Sequence, residues 1–384
     1  MRAPNRTYAG LGTTVFEAMS RLAAEHDAVN LGQGFPDDRG PDDVLHAAAE
    51  ALLHAGNQYP SMLGLPSLRQ AVAAHEQRFY GLDFDWRTEV LVTSGATEAL
   101  AACILALIEP GDEAILFQPF YDAYAPLVRR AGGRPRFVTL HPPSWTWDAA
   151  ALAAAFSDKT KLVLLNNPLN PAGKVFSLEE LSLLAQLVER HDAYVVCDEV
   201  YEHIVFAPAR HVPFISLPGM RARSVKIASA GKTFSLTGWK VGMVVGPAQL
   251  IQPVGKAHQF LTFTTPPNLQ AAVAYGLHKD DAFFSGLATE MQRRRDRLGD
   301  GLRALGFAVL PTAGTYFLNL DVSDRVGARD DVEFCRWLVA HVGVAAIPLS
   351  AFYEEQAVRH LVRLCFAKQD DVIDLALERL RTRS

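Results

Sequence analysis

The sequence predicts an α/β protein: a mostly parallel sheet covered on both faces in a large domain, plus a smaller α+β domain. Three observations carry this. From Glu89 to Val245, short apolar runs alternate with helical patterns. Beyond residue 304, strands are gathered between two further helices. The polar residues of chemical interest fall just past the ends of the apolar runs, where a parallel sheet binds ligands.

At 384 residues the chain exceeds one ordinary core and suggests two domains. The divisions expected are 1–45 (N-terminal arm and part of the small domain), 46–280 (large domain) and 281–384 (small domain). It is 49% hydrophobic and 21% charged, which is the composition of a soluble globular protein. A net charge of -5 argues against nucleic acid as a partner. The basic cluster Arg293-Arg-Arg-Asp-Arg297 reads as a solvated helix face. Four cysteines lack CxxC spacing, so buried free thiols and a cytoplasmic setting are expected, with no metal. The N-terminal residues lack a signal-peptide core, and no run is long enough to span a membrane.

In order, Thr14 opens a helical pattern with apolar residues at Val15, Met19 and Leu22. Val29 to Asp37 is a short strand breaking into a Gly/Pro turn. Helices are expected over 42–56 and 67–80, each preceded by proline. Strands then fall at 89–93, 113–117, 136–140, 160–165, 193–197, 224–229 and 239–245. Helices between them cover 99–108, 121–131, 149–156 and 177–190, the last opened by a Ser177/Glu180 capping box. Residues 250–304 read as helical, broken at Pro266-Pro267. Strands at 308–310, 315–320, 344–347 and 360–366, with helices at 330–341 and 371–381, complete the smaller domain.

Four segments carry chemistry. Ser94-Gly-Ala-Thr97 follows a strand and opens a helix, whose free N–H groups suit an anion. Asn166-Asn-Pro-Leu-Asn170-Pro-Ala-Gly173 fixes the Asn170 amide at a second strand end. Asp198-Glu-Val-Tyr201 puts an acid at the end of a buried strand, where it needs a partner; alone, a helix cap or ion pair explains it equally well. Ser229-Ala-Gly-Lys232-Thr-Phe-Ser-Leu-Thr-Gly-Trp-Lys240 places two lysines among small residues after a fourth strand. Together they offer an amine, a carboxylate, an amide, a phenol and a phosphate cradle. Those are the groups pyridoxal phosphate needs for its aldehyde, pyridine nitrogen, ring hydroxyl and phosphate.

These motifs, with Asn30-Leu-Gly-Gln-Gly-Phe-Pro-Asp37, resemble the class I aminotransferases of pyridoxal-phosphate fold type I, along nearly the whole chain. The chain is most similar to the kynurenine aminotransferase, glutamine transaminase K and methionine aminotransferase branch, and is also similar to N-succinyldiaminopimelate aminotransferases. The resemblance implies pyridoxal 5'-phosphate, a seven-stranded sheet and a homodimer with shared active sites. It makes Lys232 the Schiff-base lysine and proton carrier, pairs Asp198 with the pyridine nitrogen, and gives the ring hydroxyl to Asn170 and Tyr201. It puts Tyr121 on the ring face, with Tyr124 nearby. Ala96, Thr97, Ser229 and Lys240 would take the phosphate, joined by Tyr59 of the neighbouring subunit. Arg363 would clamp the substrate α-carboxylate, helped by Gly34 and Asn170. Phe16 would line the substrate pocket; core packing explains it equally well. One departure is Pro-Ala-Gly173 where the family often has Pro-Thr-Gly.

The expected function is ping-pong transamination from a neutral, aromatic or sulfur-containing L-amino acid (Met, Phe, Tyr, Gln or kynurenine-like) to a 2-oxo acid. Between Pro253 and Gln270 there is no arginine for a distal carboxylate; Lys256, His258, Phe260 and Phe263 stand there instead. N-succinyl-LL-diaminopimelate or aspartate transamination and cysteine-conjugate β-elimination are the alternatives. An aminotransferase-like regulatory domain is disfavoured by the short stretch ahead of Gly32, and a nicotinamide enzyme by the lack of GxGxxG after the first alternating strand.

Overall fold

The structure is a computed structural model that describes residue 2, residues 4–327 and residues 329–383. A short strand β1 (Val29–Asn30) precedes the main sheet. That sheet comprises β2 (Val90–Thr93), β3 (Glu113–Gln118), β4 (Arg134–Thr139), β5 (Thr160–Asn166), β6 (Tyr194–Asp198), β7 (Ser224–Ser229) and β8 (Gly242–Val245). Their spatial order is β2-β8-β7-β6-β5-β3-β4. Only β8 runs against its neighbours, pairing antiparallel with both β2 and β7. Strands β2, β7 and β8 are buried at every residue, as a sheet covered on both faces requires.

The remaining strands are β9 (Ala308–Val309), β10 (Phe317–Asp321), β11 (Val344–Ala345), β12 (Ile347–Pro348) and β13 (Leu361–Cys365). Four of them form an antiparallel sheet in the order β12-β13-β10-β9. Strand β11 pairs in parallel with β1, which ties the N-terminal arm to the C-terminal region. The helix Asp281–Ala304, capped by Asp280, leads from one sheet to the other.

Local signals set the helix ends. Ser177 and Glu180 form the reciprocal capping box ahead of Leu178–Arg190. Pro66 is the first residue of Pro66–Tyr80, which ends on Gly81 in the left-handed conformation. All four cysteines are buried and free.

Three local expectations change. The helix expected at 99 begins at Ala96, because Gly95 (φ +83°) turns the chain straight out of β2. The helix expected from Tyr121 starts at Tyr124, leaving Tyr121 in a turn. The strand expected from Trp239 begins only at Gly242: Lys240 is left-handed (φ +55°), and a Cβ at Gly242 would lie 2.7 Å from the Gly95 carbonyl carbon. The arginine cluster is likewise only partly solvated. Arg294 is buried and binds Asp38 at 2.8 Å and 3.0 Å, fastening the long helix to the arm.

Candidate active site

The carboxyl ends of β2, β5, β6 and β7 converge on a cavity of about 400 Å³ lined by Thr97, Asn170, Asp198, Ser229, Lys232 and Arg363, among others. Asn166, the last residue of β5, organises its floor. Its side-chain amide donates to the Asp198 carbonyl at 2.7 Å, and its carbonyl oxygen accepts from the Asn170 backbone N–H at 2.7 Å.

Asp198 is buried at the end of β6. Tyr124 donates its hydroxyl proton to Oδ2 at 2.6 Å. Oδ1 is buried with no hydrogen-bond partner among the described residues. Burial pushes this carboxyl above its ordinary value, while Tyr124 and the Val200 backbone work against that. A buried carboxylate oxygen without a donor needs one.

Lys232 sits just past β7 on the short turn of helix Ala230–Thr233. Its Nζ donates to the Tyr316 hydroxyl at 2.6 Å, and Tyr316 donates to the Gly34 carbonyl at 2.7 Å. Burial pulls the ammonium down to about 8; Cys365 and Asp198 oppose this, whereas Arg363 and Lys240 reinforce it. About a tenth of the side chain is therefore neutral amine at pH 7. An uncharged amine in a cavity is a nucleophile and a base.

Arg363 lies on β13 and is 1% exposed. Its two terminal nitrogens donate to neutral oxygens, Asn170 Oδ1 at 3.0 Å and the Gly32 carbonyl at 2.8 Å. Its guanidinium carbon stands 4.0 Å from the Phe317 ring centre, 5.0 Å from Phe352 and 5.3 Å from Phe16. Burial lowers it to about 10, so it stays charged at neutral pH. A buried cation with neutral partners calls for an anion. Because Asn170 spends its carbonyl oxygen on Arg363, its NH₂ remains available to donate.

At the other end, Ala96 and Thr97 are the first two residues of helix Ala96–Leu107. A Cβ on Gly95 would lie 3.3 Å from Lys240 Nζ, so this ammonium flanks the helix N-terminus. Lys240 is exposed but lines the cavity, as does Ser229. The Tyr121 hydroxyl is 3.5 Å from Thr97 Oγ1. Tyr201 is buried with its ring edge-on to Tyr316 at 5.1 Å. Gly34 lies so close to Phe317 that a Cβ there would be 2.8 Å from Cζ.

Every expected site residue but one lines this cavity. The exception is Tyr59, 83% exposed and edge-on to Phe263 at 5.4 Å. The 256–263 segment does not line it either. His258 is buried against Glu98 at 3.0 Å, and Phe260 is 86% exposed. His258, on the helix Ala248–Leu261, thus meets the first turn of the helix that follows β2, and Phe263 packs against Tyr59. Sequence reasoning missed Asn166 and Tyr316 and left Tyr124 without a role. Tyr124 had a signal in its spacing from Tyr121, whereas Tyr316 comes from a segment 84 residues from Lys232 and had none.

Residues 26–380 match the family described as aminotransferase class I and II. The chain is 46% identical over 379 residues to a probable N-succinyldiaminopimelate aminotransferase of Mycobacterium tuberculosis, covering 96% of this chain and 95% of that one. The solved structure of the M. tuberculosis N-succinyldiaminopimelate aminotransferase superposes with a TM-score of 0.95 at 46% identity, covering 99% of both chains. A methionine aminotransferase of Escherichia coli is 43% identical over 371 residues, covering 97% of this chain and 96% of that one. Human kynurenine–oxoglutarate transaminase 1 is 39% identical over 398 residues, covering 94% and 93%. The chain therefore belongs to the class I and II aminotransferase family and is a pyridoxal-phosphate-dependent aminotransferase.

Proposed function

We propose that this aminotransferase takes its amino group from a neutral, aromatic or sulfur-containing L-amino acid and delivers it to a 2-oxo acid. The observation that carries this reading is the cavity lining: Arg363 is its sole arginine among the described residues, and Phe16, Phe35, Tyr121 and Phe317 supply apolar surface. One arginine holds one carboxylate, and a side-chain carboxylate would have no second fork to meet it.

The residues fit the cofactor. The unpartnered Asp198 oxygen suits a protonated ring nitrogen, which supplies both a donor and a positive charge. Tyr124 holds the other oxygen and keeps the carboxylate aimed. The Asn170 amide and the Tyr201 hydroxyl serve the ring hydroxyl, and Tyr121 serves the ring face. The Ala96 and Thr97 N–H groups, Ser229 and Lys240 hold the phosphate. When bound, pyridoxal phosphate supplies an electrophilic aldehyde and a cationic ring that withdraws electrons from the substrate α-carbon.

Arg363 orients the substrate by its α-carboxylate, assisted by Gly34 and Asn170. Lys232, partly neutral near pH 8, takes the α-proton at Nζ and would return it two atoms along, at the carbon that was the cofactor's aldehyde. Phe16 and Phe35 exclude water from that transfer. Tyr59, exposed on this chain, reaches the phosphate of a second copy, so the working unit is a homodimer. A cytoplasmic location suits the four free thiols, and no helix among the described residues is long and apolar enough to cross a membrane.

The test is a kcat/KM panel over methionine, phenylalanine, glutamine, kynurenine, aspartate and N-succinyl-LL-diaminopimelate. Methionine or an aromatic donor should lead, and a preference for aspartate refutes the pocket argument. N-succinyl-LL-diaminopimelate is the second reading, favoured by the 46% identity to the mycobacterial relative.

A further inference from the structure

We propose that Tyr316 is a positioning residue that holds the Lys232 amine whenever that amine is not bonded to the cofactor. The proposal rests on reading Lys232 as the cofactor lysine. Three observations support it. The Tyr316 hydroxyl is committed at both ends, accepting from Lys232 Nζ at 2.6 Å and donating to the Gly34 carbonyl at 2.7 Å. The phenol is fully buried, and burial holds its proton on well above the ordinary range. Since that proton goes to Gly34, a lone pair faces the lysine.

The acceptor is also rigidly mounted. Tyr316 immediately precedes β10, its ring sits edge-on to Tyr201 at 5.1 Å, and its neighbour Phe317 stacks under Arg363. Gly34 is packed against Phe317, and Arg363 bonds the Gly32 carbonyl in the same loop. The amine is thus tied to the loop and strand that carry the carboxylate clamp. A lysine has four rotatable carbons, so without such an anchor its free amine would sample many positions. With the anchor, the amine returns to the side of the cavity that Arg363 occupies.

The charged and titratable groups facing Lys232 are Asp198 and Tyr201 from the end of β6, Tyr316, Arg363 and Cys365 from the small sheet, and Lys240. Among them Tyr316 touches the amine directly. An acceptor favours the ammonium form, so removing it lowers the amine's midpoint.

The experiment uses cofactor-free full-length protein and trinitrobenzenesulfonate, with labelling of Lys232 followed by peptide mass against pH. In Tyr316→Phe the labelling midpoint should fall by about one pH unit, the scale of one lost charge-assisted hydrogen bond. In the loaded enzyme, kcat should drop by roughly ten- to hundredfold with KM for methionine nearly unchanged. An unmoved midpoint with kcat within twofold overturns the proposal. Should the phenylalanine variant not fold, 3-fluorotyrosine at position 316 keeps the shape and weakens the acceptor; its midpoint must move the same way, and no movement overturns the proposal. Lys232→Ala separates the two readings. If that variant still forms a borohydride-reducible link to pyridoxal phosphate, the Lys232 reading has failed. If the link is lost while the Tyr316→Phe midpoint stays put, only the Tyr316 proposal has failed.

Discussion

Arg363→Lys tests the carboxylate clamp with the least disturbance, because it keeps a cation and most of the side-chain volume. The arginine spreads its donors over Asn170 Oδ1 at 3.0 Å and the Gly32 carbonyl at 2.8 Å and still presents its fork to the cavity. A lysine is a point donor and cannot serve both oxygens and a carboxylate. Losing one charge-assisted hydrogen bond removes about 1.5–3 kcal/mol, or roughly ten- to hundredfold in kcat/KM. A pH term adds to this. Burial lowers Arg363 to about 10 and lowers the neighbouring Lys232 to about 8. A lysine at 363 would meet the same burial, so its charge should fade as pH rises through about 8. The wild-type to variant ratio of kcat/KM should therefore widen about tenfold more between pH 7 and 9. Taking the ratio at each pH cancels the titration of Lys232, which both proteins share. Initial rates with methionine, and single-turnover rates with 3-(methylthio)propylamine as a donor lacking the carboxylate, give the answer. A methionine ratio below threefold, or an equal loss with the amine, refutes the clamp.

Other predictions address the cradle, the dimer and the buried charges. Gly95→Ala forces a Cβ into a left-handed position (φ +83°) 3.1 Å from Lys240 Cε. The cost should be about 1–2 kcal/mol, seen as a roughly tenfold weaker pyridoxal phosphate titration. An unchanged titration contradicts the phosphate cradle. Tyr59→Ala should leave chain stability within about 0.5 kcal/mol, because the ring is exposed, yet weaken cofactor retention where two copies share the site as proposed. Equal retention removes Tyr59 from the shared site. Glu76 is buried beside Lys226, and burial holds its carboxyl above the unfolded value although Lys226 pulls it down. Such a group stabilises the fold while protonated, and that contribution is lost as pH rises from the ordinary carboxylate range toward neutrality. Urea unfolding should show Glu76→Gln gaining on the wild type over that window by roughly 1–3 kcal/mol; parallel curves would refute it.

Much of the fold was legible because its signals are local. Alternating apolar runs gave the parallel sheet, and Ser177 and Pro66 marked helix starts to within a residue. The antiparallel β8 was not legible, since pairing direction depends on a turn through left-handed Lys240 that leaves no periodic trace. The lining of the cavity was legible where strand ends supply it, at Asn170, Asp198 and Lys232. It was illegible where residues arrive from distant chain. Tyr316 is such a case. Phe260 and Phe263 lie outside this chain's own cavity, and Phe263 packs against Tyr59.

Two lysines near one strand show why burial alone does not identify a reactive amine. Lys226 lies within β7 and Lys232 three residues beyond its end. Lys226 is fully buried and meets two carboxylates, Glu76 and, at 2.6 Å, Glu202. Desolvation lowers it, but the carboxylates win and hold it above its ordinary range. At an effective dielectric near 20, an ionised carboxylate at about 3 Å contributes on the order of 5 kcal/mol of attraction, and Glu202, which Lys226 holds below its ordinary range despite burial, supplies it. Lys232 meets a phenol and a carbonyl, both neutral, with Arg363 and Lys240 nearby, so desolvation wins. One is a fixed cation and the other an available amine, although the sequence presents both as lysines near one apolar strand. Glu202 follows Tyr201 directly, so the segment whose Asp198 faces the cavity also pairs off the buried Lys226. Labelling of the cofactor-free protein with trinitrobenzenesulfonate should modify Lys232 and spare Lys226 at pH 8; modification of both at similar rates would refute the claim that charge pairing sets Lys226 apart.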